Sequence, residues 1–506
     1  MSDLTRDQGN PDAILRNLDH NSECVVKKGS FLSRIKGQKF LSQERTDRRP
    51  GWNLMGLGRL GTSISIRLVL FLSILSVVGG GKLFAFPRVE RIVLPNQLVL
   101  LSAEDHSLPL VTVRILVDAG SRRDPPGKEG VANLTAKGLL LGTSTYSVTA
   151  FHDALESMGA ALSASVGPDT TVVRLQILRE HLDRGFDLLM EALTRPTFRE
   201  EEIQRLVQKT RAEIQSAEER PGVTAKKAFQ KALFHNNPYG HPVRGTEESL
   251  ERITEQTIRE FYKTYYHPNG AIVVIVGDLT LKETKQKLGP RLSDWPMAKI
   301  PDENFIPTFT TGPKDVTIDR NITQANIVFG HRGIKRSNPD FYAITVMNYI
   351  LGGGGFGSRL FEEIRVKRGL AYSVASYFDQ RRYPGSFRIV LQTKNKSARE
   401  SISVLRRETR RIQNEPVSEE ELDRAKKYLV GSFPFRFDTQ ARLAGFITHL
   451  EYHGLGLDFP EKYPSYVSTV TSRDVLRVAA SYLHPDEAIL VVVANLKEAG
   501  MDGPST

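Results

Sequence analysis

The chain has 506 residues, 40% of them hydrophobic and 25% charged, which is enough for two globular domains with separate cores. Its net charge of +11 comes from 69 Lys and Arg residues against 58 Asp and Glu, and about half of this excess lies in the first 85 residues. Because the remaining charges are interspersed, the composition argues against a nucleic-acid-binding protein. The single cysteine, Cys24, excludes an intramolecular disulfide without identifying the redox compartment.

The N-terminal region predicts an export signal or a membrane anchor. The apolar run Leu68–Val78 is too short to span a bilayer comfortably and has the length of a signal-peptide hydrophobic region. We expect residues 55–85 to be a signal peptide cleaved after Ala85, with an uncleaved inner-membrane anchor and a buried helix as alternatives. Residues 1–54 are then a disordered extension or a mis-assigned start, with Met55 as the true one. This prediction places the protein in the periplasm or at the inner membrane.

Hydrophobic periodicity predicts both strands and helices. The stretch Val111–Val117 alternates and is rich in β-branched residues, which is typical of a strand, and Ala271–Val276 is a second strand. Arg199–Ala217 has apolar residues at helical spacing, and Pro196 and Pro221 bracket it.

Two pairs of segments recur at nearly the same offset, which indicates a duplication of a unit of about 210 residues. Tyr266–Leu279 returns as Leu483–Leu496, with the His-Pro pair displaced by 217 residues. Glu200–Leu206 returns as Glu419–Ala425, displaced by 219 residues. Between the units lies Trp295–Thr311, which contains three prolines and little periodicity and is typical of a linker.

These patterns predict an α+β fold of two tandem homologous domains, each a β-sheet with packed helices. The expected boundaries are residues 88–295 for the N-terminal domain, 296–312 for the linker and 313–498 for the C-terminal domain. We expect the two domains to be arranged like a clamshell.

One segment, Gly120–Thr143, resembles the zinc-site segment of the insulinase/pitrilysin-type (inverzincin) metallopeptidases, which reads A-H-x-x-E-H and, after an apolar turn, G-T. The two histidine positions carry Asn133 and Lys137, and the glutamate position carries Ala136. A catalytic zinc needs about three protein ligands, and the motif's glutamate serves as general base. Asn133 is at best a weak ligand, Ala136 cannot accept a proton, and the Lys137 ammonium would repel a cation. The sequence therefore predicts no metal bound by this chain.

The resemblance also implies a third zinc ligand, a glutamate on a later helix, and Glu213 stands at that place. One interpretation is a solvated helix carboxylate. The other is that Lys137 replaces the charge of the metal and pairs with Glu213, because an unpaired buried carboxylate would be costly.

A second candidate metal site is the pair His449 and His453, which are one helical turn apart. Glu451, two residues after His449, points to roughly the opposite side of a helix. We therefore predict core or surface histidines here rather than metal ligands.

The stretch Tyr349–Val374 resembles the second-domain signature of the same family. There, an Arg and a Tyr seven residues apart reach the zinc-bearing domain and assist substrate binding and the transition state, and Arg365 and Tyr372 stand at those positions. A guanidinium and a phenol can both donate hydrogen bonds to a peptide carbonyl that develops negative charge. Gly369 is expected to end the helix, so that Tyr372 starts the following strand.

The same stretch contains a glycine run, Gly352, Gly353, Gly354 and Gly355. Its spacing matches neither a phosphate-binding P-loop nor a dinucleotide fingerprint. In two-subunit members of the family, such as the mitochondrial processing peptidase, a glycine-rich loop on the non-catalytic subunit helps to capture substrate. The resemblance thus implies substrate contact, and the alternative is that the glycines let a helix end close to the neighbouring sheet.

The resemblance covers about residues 88–498, including Pro238–Pro242. It implies a non-catalytic subunit that binds no cofactor itself and pairs with an H-x-x-E-H subunit holding zinc, where Arg365 and Tyr372 would act on unfolded peptides. The alternative is a structural or binding protein, like the core subunits of the cytochrome bc1 complex. Retention of the Arg/Tyr pair favours the peptidase role. A homodimer, and a peptidase using the His449/His453 pair, stay open.

Overall fold

The computed structural model describes residues 86–235, 237–302 and 307–502. In these ranges the chain forms an α+β fold of two β-sheets with packed helices, as the sequence predicts. The predicted extension, residues 1–54, and the predicted signal or anchor, residues 55–85, lie outside the described residues and stay predictions. Across the ranges that are described, none of the helices is both long and apolar enough to traverse a bilayer.

The first half of the described chain carries the first sheet. Its strands are β1 (Val89–Val93), β2 (Val99–Glu104), β3 (Leu110–Val117), β4 (Ala161–Val166), β5 (Thr171–Leu178) and β6 (Ala271–Gly277). Its helices are α1 (Val131–Gly138), α2 (Val148–Glu156), α3 (Leu182–Thr194), α4 (Glu200–Glu218), α5 (Pro221–Phe234), α6 (Glu247–Glu251), α7 (Glu255–Tyr265), α8 (Leu281–Glu283) and α9 (Gly289–Ser293). The two predicted strands and the predicted helix are β3, β6 and α4, each within one residue of its expected bounds.

The second half carries the second sheet. Its strands are β7 (Lys314–Asp319), β8 (Gln324–Arg332), β9 (Ala371–Phe378), β10 (Ser386–Lys394) and β11 (Ile489–Ala494). Its helices are α10 (Phe341–Asn348), α11 (Arg359–Phe361), α12 (Ala398–Asn414), α13 (Glu419–Gly431), α14 (Gln440–Tyr452), α15 (Phe459–Ser468) and α16 (Ser472–Tyr482). π-helical turns at Tyr349–Gly353 and Glu362–Val366 flank α11.

The strand orders show the duplication directly. The first sheet runs β1-β2-β6-β3-β5-β4 and the second runs β7-β11-β8-β10-β9. In each sheet one parallel pair, β2 with β6 and β7 with β11, lies beside strands that pair antiparallel. The repeated His-Pro segments lead into β6 and β11, and the second repeated pair begins α4 and α13. The two halves therefore share one topology, apart from the additional edge strand β1.

Each half contributes a helix to the other half's sheet. Helix α5 packs on β8 and β11, where Phe229 and Leu233 join a core with Val328 and Val491. In return α14 packs on β3 and β6 of the first sheet. Because each exchanged helix buries apolar surface across the boundary, residues from Phe86 onward form one compact unit.

A set of buried polar contacts around Asp169, here called the polar seam, also joins the two halves. The Arg122 side chain is fully buried, donating from Nε to Asp169 Oδ1 at 3.2 Å and also pairing with Asp118. The Tyr239 hydroxyl donates to the same Asp169 carboxylate, and the Arg382 backbone N–H, in the β9–β10 turn, donates to its Oδ2 at 3.2 Å. Since Asp169 is itself buried, its loss would leave several donors unsatisfied.

Candidate functional site

Helix α1 carries the segment that resembles a zinc site. Its N-terminus is capped by Asp124, a residue that lies well upstream of the helix. The Asp124 carboxylate accepts hydrogen bonds from the backbone N–H groups of Gly130 at 2.7 Å and Ala132 at 2.8 Å. These donors lie at the N-terminus of α1, where no helical carbonyl is available to them. Sequence reasoning missed Asp124, which precedes a Pro-Pro-Gly turn and lies too far upstream for an ordinary cap.

Where the resemblance implies a zinc site, the structure has an ion pair. Lys137 on α1 places its Nζ 3.1 Å from Oε2 of Glu213 on α4, as the lysine-for-metal hypothesis predicts. The two side chains are 30% and 31% exposed, so the pair lies at the edge of the α1–α4 contact. The ammonium thus supplies the positive charge that the Glu213 carboxylate faces.

The residues around this pair do not fit a zinc ion. Ala136 is fully buried and has no ligating atom. Asn133 is 7% exposed, and its Nδ2, which would be a donor and not a ligand, has no hydrogen-bond partner among the described residues. Across residues 86–235, 237–302 and 307–502, no group of three or more His, Cys, Asp or Glu side chains is placed to hold a metal. None of the three motif positions therefore carries a His, Cys, Asp or Glu side chain, the usual ligands of zinc.

The His449/His453 pair lies at the end of α14. The ring centroids are 4.5 Å apart, but Glu451 points away and binds Arg91 of β1, with an Nη2–Oε1 distance of 2.9 Å. Burial lowers the pKa of His449 well below its usual value, and burial together with the nearby Arg336 charge lowers the pKa of His453 to about 4. Both histidines are half-buried, and Glu451, which is bound to Arg91, is not directed at them.

Arg365 and Tyr372 are brought together by a helix end. Arg365 lies in the π-helical turn that continues α11, and Gly369 closes this helix with a φ of +63°. The Gly369 N–H donates to the Arg365 carbonyl at 3.0 Å. A residue other than glycine would be strained at this φ, so Gly369 sets where β9 begins. Tyr372 is the second residue of β9, as predicted.

The Arg365 guanidinium lies among three aromatic rings. Its Cζ is 4.6 Å from the ring centroid of Tyr372, 4.9 Å from Phe361 and 5.5 Å from Phe356. Tyr372 is 79% exposed and Phe356 is 68% exposed, whereas Phe361 is buried. Rings at these distances attract a guanidinium without using its N–H donors. The exposed edge of this cluster therefore presents donors and apolar surface together.

The glycine run is partly explained by close packing. A side chain at Gly352 would place its Cβ 2.6 Å from the Ser376 hydroxyl oxygen on β9 and 2.8 Å from the Leu360 side chain. At Gly354 a Cβ would lie 2.7 Å from the Tyr349 carbonyl oxygen. The alternative in which glycines let a helix end close to the sheet thus accounts for Gly352, whereas Gly354 is close to the Tyr349 residue of its own helical turn. Substrate contact by the run stays a prediction.

An ion pair missed by sequence reasoning anchors the start of the Arg365 helix. Arg359 donates from Nε and Nη2 to the two carboxylate oxygens of Glu421 at the start of α13, both at 2.8 Å. The hydrogen bonds from Arg359 lower the pKa of Glu421 to about 2. Only the S-x-x-E capping pattern at Ser418–Glu421 marks this carboxylate in the sequence, and that pattern does not identify Arg359 as its partner.

These clusters lie in different halves. Among the residues that the structure describes, the contacts of Lys137 and Glu213 lead neither to Arg365 nor to Tyr372.

Two family models match the chain over both halves. The model described as insulinase, peptidase family M16, matches residues 99–247, which contain α1 and α4. The model described as the peptidase M16 inactive domain matches residues 252–429, which contain Arg365 and Tyr372.

Individual relatives agree with these matches. The non-peptidase homolog YmxG of Helicobacter pylori is 27% identical over 401 residues, which cover 78% of this chain and 91% of that protein. The mitochondrial-processing peptidase subunit beta of Blastocladiella emersonii is 23% identical over 421 residues, covering 82% of this chain and 90% of that protein. A crystal structure of a peptidase M16 inactive domain from Pseudomonas fluorescens has a TM-score of 0.75 and 26% identity, covering 80% of this chain and 98% of that one.

Proposed function

Because the chain belongs to the insulinase family of peptidases, family M16, we propose that it is the non-catalytic subunit of a two-subunit peptidase. Its partner would carry the H-x-x-E-H motif and the zinc. The observation that carries this proposal is the contrast between the two segments that resemble the family's motifs. The segment that resembles the zinc site holds the Lys137–Glu213 ion pair, whereas in the second half Tyr372 is exposed and the half-buried Arg365 contacts its ring.

The relatives support both parts of the proposal. The Helicobacter pylori relative is named a non-peptidase homolog, and the Blastocladiella emersonii relative is named as one subunit of a processing peptidase. A chain that lacks the motif and pairs with one that has it would combine these two descriptions.

The chemistry available to Arg365 and Tyr372 is hydrogen-bond donation. When bound in the partner, zinc would supply Lewis-acid activation at the scissile peptide. The Arg365 guanidinium and the Tyr372 phenol would donate to peptide carbonyl oxygens and stabilise the negative charge that develops on one of them. The rings around Arg365 restrict its rotamers before the peptide binds, which lowers the entropic cost of that contact.

The substrate class that suits these groups is an unfolded peptide. Donors aimed at backbone carbonyls can engage only a segment whose carbonyls are not already used in secondary structure. The glycine run beside them would let such a segment approach the backbone closely.

Co-expression with an H-x-x-E-H subunit tests the proposal. The full chain alone should not cleave an unfolded casein substrate, and the mixture should cleave it. Replacing the partner's motif glutamate by glutamine should abolish that activity, which assigns the chemistry to the partner. A purified single chain that binds one equivalent of zinc and cleaves casein would refute the proposal. A partner equally active without this chain would favour the structural or binding alternative.

A further inference from the structure

Among the described residues of the second half, Arg365, Arg336 and Arg436 all contact aromatic rings and have no carboxylate within ion-pair distance. Arg365 differs from the other two in that two of its rings are exposed. Arg359 is neutralised by Glu421, and Arg388 pairs with Asp379. Arg365 has no carboxylate within ion-pair distance among the described residues, although it lies among three rings. Its charge is therefore held in place by aromatic faces and left unpaired.

Two of the three rings beside Arg365 are exposed, and so is the side chain of the next residue, Val366. Phe356, Val366 and Tyr372 are 68%, 59% and 79% exposed, and all three are next to the guanidinium in space or in sequence. Phe356 is presented by flanking glycines and packs edge-to-face on the buried Phe361, with centroids 4.7 Å apart. Contiguous exposed apolar surface rimmed by polar groups marks binding sites on soluble proteins. Aromatic residues and arginine also dominate the energetic centres of interfaces.

We propose that Arg365, Phe356 and Tyr372 form a recognition site for a peptide carboxylate that lies next to a large apolar side chain. The inference rests on the proposed function and deepens it, because it names the class of peptide that the same surface would take. The Arg365 guanidinium has five N–H donors, so it can bind an anionic acceptor as well as a peptide carbonyl, and a planar carboxylate matches its fork of donors. The exposed faces of Phe356 and Tyr372 would cover an apolar side chain on the neighbouring peptide residue.

Both an acidic side chain and a free C-terminus supply this chemistry. The test uses fluorescein-labelled octapeptides of Gly, Ser and Ala with one variable pair, and measures binding to the full chain by fluorescence anisotropy. Amidated peptides carry Phe-Asp, Phe-Asn or Ala-Asp in the middle. Two further peptides end in Phe, one with a free carboxylate and one amidated. The Phe-Asp peptide should bind about tenfold or more tightly than Phe-Asn, since a charge-assisted hydrogen bond is lost. Stronger binding of the free than of the amidated Phe terminus would identify the C-terminus as a source.

Two substitutions should erase two different preferences. Arg365→Gln should remove the preference for Phe-Asp over Phe-Asn while keeping the preference for Phe-Asp over Ala-Asp. Phe356→Ala should remove the preference for Phe-Asp over Ala-Asp while keeping the preference for Phe-Asp over Phe-Asn. Matched controls are Arg184→Gln, an exposed arginine in α3, and Phe435→Ala, an aromatic that is 55% exposed elsewhere. Both controls should retain both preferences, and a circular dichroism spectrum and thermal midpoint like the parent's show that each variant is folded.

The inference is overturned if the amidated peptides bind within twofold of one another, or if none binds saturably at concentrations up to about 1 mM. It is also overturned if Arg184→Gln removes the carboxylate preference as Arg365→Gln does. These readouts need no partner, so they are independent of the co-expression test. Activity in the mixture with no carboxylate preference would retain the proposed function and discard this inference. A carboxylate preference with an inactive mixture would retain this inference and discard the proposed function.

Discussion

Replacing Lys137 by methionine tests whether the ion pair took over the structural role of the metal. Methionine keeps most of the side-chain volume and removes the charge, so the Glu213 carboxylate loses the ammonium that lies 3.1 Å away. The double variant Lys137→Met/Glu213→Gln removes both charges together. If the pair is an electrostatic replacement, the double variant is more stable than the Lys137→Met single variant.

The magnitude follows from the burial of the pair. Exposed ion pairs contribute about 0–1 kcal/mol, and breaking a fully buried one costs about 3–5 kcal/mol. At 30% and 31% exposure the pair lies between these limits, nearer the exposed one. We expect Lys137→Met to lower the free energy of unfolding by about 1–2 kcal/mol, with a coupling energy between the two positions of about 1 kcal/mol.

The assay is urea unfolding followed by tryptophan fluorescence. Trp295 is buried in the same half as the pair, and its Nε1 donates to the Tyr266 carbonyl at 3.1 Å, so its emission reports that half. Lys263→Met, at an exposed lysine of α7, is the matched control and should leave the unfolding midpoint unchanged. A coupling energy within about 0.3 kcal/mol of zero, with no loss of stability in Lys137→Met, would refute the reasoning.

Three further predictions concern the surrounding frame. Asp124→Ala should destabilise the first half by about 3 kcal/mol in the same assay, because two buried N–H groups lose their acceptor. The control Asp153→Ala, at an exposed position, should not destabilise it. Equal effects of the two substitutions would contradict the capping role of Asp124. Glu421→Gln should lower stability by about 2 kcal/mol at pH 7. Because the folded pKa of Glu421 is lowered, that difference should persist down to the ordinary value of 4.5 and shrink toward pH 2, and a pH-independent difference would contradict the pairing with Arg359. The triple variant Asn133→His, Ala136→Glu and Lys137→His should bind about one zinc ion per chain, measured by equilibrium dialysis with atomic absorption. Adding Glu213→Gln should weaken that binding. No zinc binding by the triple variant would show that α1 and α4 no longer place these positions for a metal.

The sequence predicts individual strands and helices better than it predicts which elements pack against one another. The duplicated strands β6 and β11 and the helix α4 follow from periodicity and repetition, because these signals are local or internal to the chain. The exchange of α5 and α14 between the halves does not follow, since an apolar helix face does not indicate which sheet it covers. The seam at Asp169 is equally hidden, because Arg122, Tyr239 and Arg382 come from three distant segments.

In the candidate site, too, local features follow from the sequence and tertiary contacts do not. The positions of Arg365 and Tyr372 and the helix end at Gly369 follow from a motif with fixed spacing. The exposure of Phe356 does not, because a phenylalanine is more often buried than exposed and only the tertiary packing around the glycine run leaves its ring outside. The pairing of Lys137 with Glu213 follows only from the family resemblance, which implies that these two positions lie close together.

The central claim is that this chain acts on a zinc site held by another subunit, and a kinetic comparison in the reconstituted complex tests it most directly. We predict that Arg365→Ala and Tyr372→Phe each lower kcat/KM for casein cleavage about tenfold or more, while the zinc content and the amount of complex recovered stay unchanged. Arg184→Ala, the surface control, should leave kcat/KM unchanged. Unaltered kcat/KM in both site variants of an otherwise active complex would contradict the claim.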